Sequence, residues 1–138
     1  MTLYEIVNKL KDIAKKQPNI NYVGEGDIYT LNSLPNIDYS VFFVTQTTHK
    51  QRENTLVYTL YLYYIDRLFT DECNTLDVQS NGIVALENII NTLYNTEDIT
   101  IDGEITYNTF THRFADACAG VYATVNIVVD NNLGICSY

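Results

Sequence analysis

Basic residues are scarce in this 138-residue chain, cysteines are few, and long apolar runs are missing. Eight Lys and Arg stand against 17 Asp and Glu, a formal charge of −9. A surface of that sign repels a phosphate backbone, which excludes non-specific nucleic-acid binding except at a local basic spot. The scarcity is uneven. Lys9, Lys11, Lys15 and Lys16 crowd the first sixteen residues, leaving Lys50, Arg52, Arg67 and Arg113 to face fifteen acids. Three cysteines, Cys73, Cys118 and Cys136, cannot all pair within one chain, and none forms a CxxC. The compartment they suit is reducing cytosol, with Cys118, set between Ala117 and Ala119, a small buried apolar residue. No run approaches the roughly 18 apolar residues of a membrane span, so no membrane is expected. The first twenty residues also lack the apolar core and small-residue cleavage site of a signal peptide.

Catalytic patterns are missing too. No GxSxG stands at a strand-to-helix turn, and neither His49 nor His112 has an acid partner at fixed spacing. YVGEGD lacks phosphate-loop spacing and sets two acids where phosphate would sit. His49, Cys73, His112, Cys118 and Cys136 show no recurrent zinc-ligand spacing. The acid pairs Asp71–Glu72 and Asp102–Glu104 lie on turns, where carboxylates are ordinarily solvated. The expectation is a protein that is not an enzyme, with no catalytic residue, no metal and no cofactor.

What the chain does have is a long hairpin signal from Tyr39 to Ile65. Two alternating runs, YSVFFVTQTT and TLVYTLYLYYI, flank the charged segment HKQREN, read as a turn with Lys50 and Arg52 at its tip. At ~3.3 Å per residue each arm is about 33 Å long, against a radius of gyration near ~14 Å for a compact domain of this length. The hairpin spans the domain or projects beyond it. Leu56, Tyr58, Leu60, Leu62 and Tyr64 fall on one face, and Val57, Tyr61, Tyr63 and Ile65 on the other. A sheet apolar on both faces needs cover on both, which points to assembly, with Tyr61 and Tyr63 packed on another layer or a neighbouring subunit.

Around the hairpin, the length and composition predict one domain over residues 1–138. Thr2 and Glu5 form a capping box ahead of Leu3, Ile6, Val7, Leu10, Ile13 and Ala14, a helix that runs until Pro18. Its outer lysines suit docking on an acidic neighbour. Residues 19–38 read as a loop with one short strand near Asp27–Leu31. After the polar stretch TDECNTLDVQSN, Ser80 or Asn81 caps a second helix whose inner face is Ile83, Val84, Leu86, Ile89, Ile90 and Leu93. Glu104–Thr109 and Gly120–Val129 read as strands joined by an irregular link. The class is α+β, an antiparallel sheet with a long β-hairpin and two amphipathic helices packed on one face.

Two segments, SNGIVALENIINTLY and HRFADACAGVYATVNIVVD, placed after a long hairpin and an amphipathic N-terminal helix, carry a resemblance. From Thr2 to Asp130 the layout resembles the neck and tail-completion proteins of tailed bacteriophages, the tail-terminator-like fold in particular. Its phrasing is most similar to structural proteins of crAss-like phages. The resemblance implies a virion protein made in the host bacterial cytoplasm, a homo-oligomeric ring in the head-to-tail connector or tail terminator. It further implies contacts with portal-side and tail-side rings, and DNA passing through the channel without specific binding. Lys50, Arg52, Tyr61 and Tyr63 are the expected subunit or partner contacts, in a head-to-tail cyclic ring whose hairpin reaches an acidic neighbour. The competing reading is an acidic soluble inhibitor, a DNA mimic that binds a host nucleic-acid enzyme.

Overall fold

The computed structural model describes residues 2–28, 38–68, 71, 73–96, 99–111 and 118–130. Helix α1 (Leu3–Lys15) begins at the expected capping box. The Thr2 hydroxyl accepts from the Glu5 amide at 3.2 Å, and the Glu5 carboxylate accepts from the Thr2 amide at 3.2 Å. The Thr2 amide foremost, and then the Thr2 hydroxyl, which donates to Glu5 Oε1 at 3.0 Å, hold the Glu5 carboxyl below its ordinary pKa. Ile6, Val7, Leu10, Ile13 and Ala14 form its buried stripe.

Among the described residues, five strands follow the order β1-β2-β3-β5-β4 across one sheet. They are β1 (Tyr22–Glu25), β2 (Val41–Arg52), β3 (Thr55–Arg67), β4 (Thr100–Thr111) and β5 (Cys118–Asp130), with helix α2 (Thr75–Tyr94) between β3 and β4. All neighbouring pairs are antiparallel except β1 with β2, which run parallel. The architecture is α+β, with both helices on one face of a mostly antiparallel sheet.

The long hairpin is β2–β3, and its geometry corrects the sequence reading twice. HKQR belongs to β2, and only Glu53–Asn54 turn, because Arg52 pairs with Thr55 across a two-residue connection. Nor does the hairpin project as a free arm. β5 pairs with β3 along its whole length, from Thr55↔Asp130 to Arg67↔Cys118. Strand β2 carries a bulge, with Thr47 and Thr48 opposing Thr59 between the Gln46↔Leu60 and His49↔Tyr58 pairs. The Thr47 hydroxyl donates to the Thr59 carbonyl at 3.0 Å and so uses an acceptor within the bulge.

Other boundaries moved as well. Helix α2 starts at Thr75, not after Ser80, because Val78 and Gly82 already pack inward and the Val78 amide donates to the Asn74 carbonyl. Val84 points outward, 57% exposed, while Val78, Gly82 and Ala85 take the inner positions. At Gly82 an added Cβ would sit 2.6 Å from Val121 Cγ1 and 2.8 Å from Tyr64 Cδ1, so a mid-helix glycine lets α2 approach the sheet closely. The short strand is Tyr22–Glu25; Asp27 and Ile28 are not in a strand, and Tyr29–Leu31 lie outside the described residues. Strand β4 runs beyond the expected Glu104–Thr109 at both ends, and β5 begins at Cys118.

The main core lies between the helices and one sheet face. Phe42, Val44, Tyr58, Leu60, Leu62 and Tyr64 meet Leu10, Leu86, Ile89, Ile90 and Leu93, with Val121, Ala123, Val125, Ile127 and Val129 completing the layer. Each large aliphatic buried there contributes roughly 1.5–3 kcal/mol against leaving it in water.

Candidate functional site

The face of the sheet away from the helices carries the residues singled out for contact. Alternation along β3 sends Val57, Thr59, Tyr61, Tyr63 and Ile65 to this side, as the sequence predicts. Around Tyr63 gather Val41, Phe43, Ile65, Cys118 and Ile28, flanked by the partly buried Tyr22, Tyr39, Tyr61, Phe110 and Tyr122. The rings form one array. Tyr61 and Tyr122 lie 5.2 Å apart between centroids, Tyr63 and Tyr122 5.2 Å, Tyr63 and Phe110 6.2 Å, and Tyr61 and Tyr63 6.3 Å. These separations and tilts suit the ring quadrupoles, each pair adding ~0.5–1.5 kcal/mol beyond area burial. The Arg67 guanidinium stands 5.0 Å from the Tyr39 ring centroid at the rim.

A glycine fixes this array. A Cβ at Gly120 would run into the Tyr64 carbonyl oxygen, and the Phe110 ring would lie 2.9 Å away. Phe110 is opposite Gly120 in the β4–β5 register, so the ring lies over the bare backbone.

Exposure divides the site residues. Tyr63 is 2% exposed and buried within the chain, whereas Tyr61 and Tyr122 are only half-buried. A partner therefore reaches Tyr61 directly and Tyr63 only through its neighbours. Lower on this face the surface turns polar, where the Thr59 hydroxyl donates to Asn126 Oδ1 at 2.7 Å. The Thr45 hydroxyl, opposite Tyr61, is buried without a hydrogen-bond partner. It borders a cleft of about 470 Å³ lined by Gly26, Asp27, Thr45 and Gln46.

Lys50 and Arg52 sit at the end of β2, both exposed, some distance along the sheet from the aromatic array. The structure thus joins Tyr61 and Tyr63 in one cluster and keeps the two cations apart from it. His49 bonds Gln46 at 3.1 Å through Nε2 and packs edge-on to Tyr58 at 5.3 Å. A second cleft, of about 350 Å³, lies at that end beside Arg52, Thr55, Thr100 and Asp130.

Two sheet edges are the other notable feature. Strand β1 pairs with β2 only as far as Glu25↔Val44, after which Gly26, at φ 122°, turns the chain away. Beyond Val44, no described strand pairs with the outer edge of β2. Strand β4 closes the far side of the sheet, and no described strand pairs with its outer edge either. A second irregularity interrupts β4 between Asp102 and Thr106, with Gly103 at φ 69°.

Among the described residues no three His, Cys, Asp or Glu side chains converge to hold a metal ion. The exposed Cys73 thiol is pushed above its ordinary pKa chiefly by its hydrogen bond with the Asp71 carboxylate, the reverse of thiolate activation. Cys118 is buried. His112, Cys136 and Glu72 lie outside the described residues. Sequence reasoning missed Tyr22, Phe110 and Tyr122 as partners of Tyr61 and Tyr63. For Tyr122 the signal was present, a large ring alternating with the buried Val121 and Ala123. No family model matches the chain, and no curated protein matches it.

Proposed function

We propose that the protein is a non-enzymatic virion component, the repeating subunit of a ring in the head-to-tail connector or tail terminator of a tailed phage. The observation that carries this reading is the two-sided sheet. Its helix-free face bears a tyrosine array whose outer members, Tyr61 and Tyr122, remain half-buried, and a neighbouring subunit is the cover they fit. The acidic surface supports a DNA channel wall, since it lets the duplex slide without retention. Partners are further copies of the chain and the rings above and below, with no cofactor and no membrane. No helix of the described residues is long and apolar enough to cross a bilayer. Lys50 and Arg52, exposed at the tip of the hairpin, serve contacts with acidic neighbours.

Native mass spectrometry of the purified protein, alone and with portal protein, tests the proposal. A closed oligomer of one copy number, or a stoichiometric complex with portal, is expected. A persistent monomer that inhibits a DNA-binding enzyme would replace the ring with the DNA-mimic reading.

A further inference from the structure

We infer that the outer surface of the two helices is a second contact surface, and that its occupant is another copy of the chain, docked about a two-fold so that α1 of each copy lies on α2 of the other. This contact goes beyond the ring reading, which uses the opposite side of the subunit. Beneath the helices the core is closed, but their outer surface is not. Among the described residues the exposed large hydrophobics are Tyr4 and Leu76, at 77% and 75%, with Val84 and Tyr94, and all four stand on α1 or α2 and none on the sheet. Leu76 and Tyr94 lie about five whole turns apart, so they share one line along α2, with Val84 beside it. A solvated helix face carries charged residues, yet from Thr75 to Tyr94 only Asp77 and Glu87 are charged. Charge depletion around exposed apolar groups is the composition of an interface.

Charge names the occupant. Helix α1 with its cap residue Lys16 carries four lysines against Glu5 and Asp12, a net +2, whereas α2 carries two acids and no base, a net −2. Lys11 and Lys15 fall on one line with Tyr4, seven and eleven residues on. The helices pack side by side, so one subunit presents a positive strip next to a negative one. A two-fold axis running along the helices and between them sets each positive strip on the partner's negative one. A uniformly acidic foreign protein would instead leave α2 facing like charge. The ends match as well. The Asn21 amide donates to the Ser40 carbonyl at 2.9 Å just after α1, and Asn74 Nδ2 donates to the Arg67 carbonyl at 3.1 Å just before α2. Ser40 and Arg67 flank the Val41↔Ile65 pair, so the Lys15 end of α1 and the Asp77 end of α2 stand at the same end of the hairpin. An axis along the helices keeps those ends together and brings Lys15 of one copy to Asp77 of the other. Lys15 to Tyr4 spans ~16 Å and Asp77 to Glu87 ~15 Å, so Tyr4 then reaches the turn that bears the exposed Val84.

Charge exchange between copies tests it in the full chain, by analytical ultracentrifugation in low-salt buffer. The wild-type chain should dimerise, and Lys11→Glu/Lys15→Glu or Asp77→Lys/Glu87→Lys should each weaken the dimer about tenfold or more with the circular dichroism unchanged. Mixed in equal amounts, those two variants should form a heterodimer of near wild-type affinity, because every reversed strip then meets its complement. Leu76→Ser/Val84→Ser, a neutral change that serves where a charge reversal disturbs folding, should weaken the dimer about tenfold at any salt concentration. Tyr61→Ser, on the opposite side of the sheet, should leave the dimer intact. A wild-type chain that stays monomeric, or a dimer that ignores both charge variants and the serine pair, overturns the inference. So does a monomer that Lys11 and Lys15 tie only to portal protein, since a foreign protein is then the occupant. The ring reading is judged separately, by whether Tyr61→Ser disrupts the closed oligomer.

Discussion

The two faces of this sheet solve the same burial problem differently. Under the helices, Leu60, Leu62, Val125 and Ile127 are wholly buried by partners in the same chain, an aliphatic layer closed from within. On the other side the cover is graded. Tyr63 and Phe43 are sealed, Tyr61 and Tyr122 half so, and Thr59 and Asn126 satisfy one another at the polar end. The contrast teaches that the helix side is finished in the monomer, while the tyrosine side keeps amphipathic rings at its margin. Such rings tolerate water before assembly and still add contact area after it.

The sharpest break of this contrast is Gly120→Ala. Its methyl group would meet the Tyr64 backbone carbonyl and the Phe110 ring, and no side-chain rotation relieves a backbone clash between strands. A loss of about 3 kcal/mol or more is expected in chemical denaturation, with the tyrosine array disrupted. Next come two sequence neighbours on opposite faces. Leu62→Ala should cost about 2–5 kcal/mol at any protein concentration, since its cavity lies in the finished core. Tyr61→Ser should cost only ~1 kcal/mol in dilute solution and more as subunits assemble, so its effect grows with concentration. Equal penalties for the two at every concentration would erase the distinction drawn between the faces.

Smaller effects sharpen the picture. Thr59→Val removes the donor to Asn126 and should cost ~1 kcal/mol, read as a shifted denaturation midpoint with an unchanged slope. Asp66, half-buried beside the Arg67 amide, has its carboxyl pKa raised by burial. The native state therefore holds that proton to a higher pH than the unfolded chain does. Stability should fall as pH rises from the unfolded pKa through the folded one, and Asp66→Asn should flatten that part of the profile. A profile unchanged by Asp66→Asn would remove Asp66 as its source.

Periodicity made much of this legible. The two helices, the alternation of β3 and the inward face of β5 follow from spacing alone, because a residue's face is set by counting. Positions where counting breaks were not legible. The Thr47–Thr48 bulge reverses the parity of β2, which hid the fact that HKQR continues the strand. The start of α2 was obscured by the polar run from Asn74 to Asn81, where Val78 is the one large inward-facing aliphatic. Tyr61 and Tyr63 were visible as a pair, but their partners Phe110 and Tyr122 arrive from strands far away in sequence, so only the sheet order reveals the array.

The central claim is that a second copy covers the tyrosine face of this sheet. Electron cryo-microscopy of the assembled protein, on the native particle or as an isolated oligomer, tests it most directly. The account predicts a closed ring in which Tyr61 and Tyr122 are buried against a neighbouring subunit. Subunits that stand apart, with Tyr61 and Tyr122 open to solvent, would contradict it.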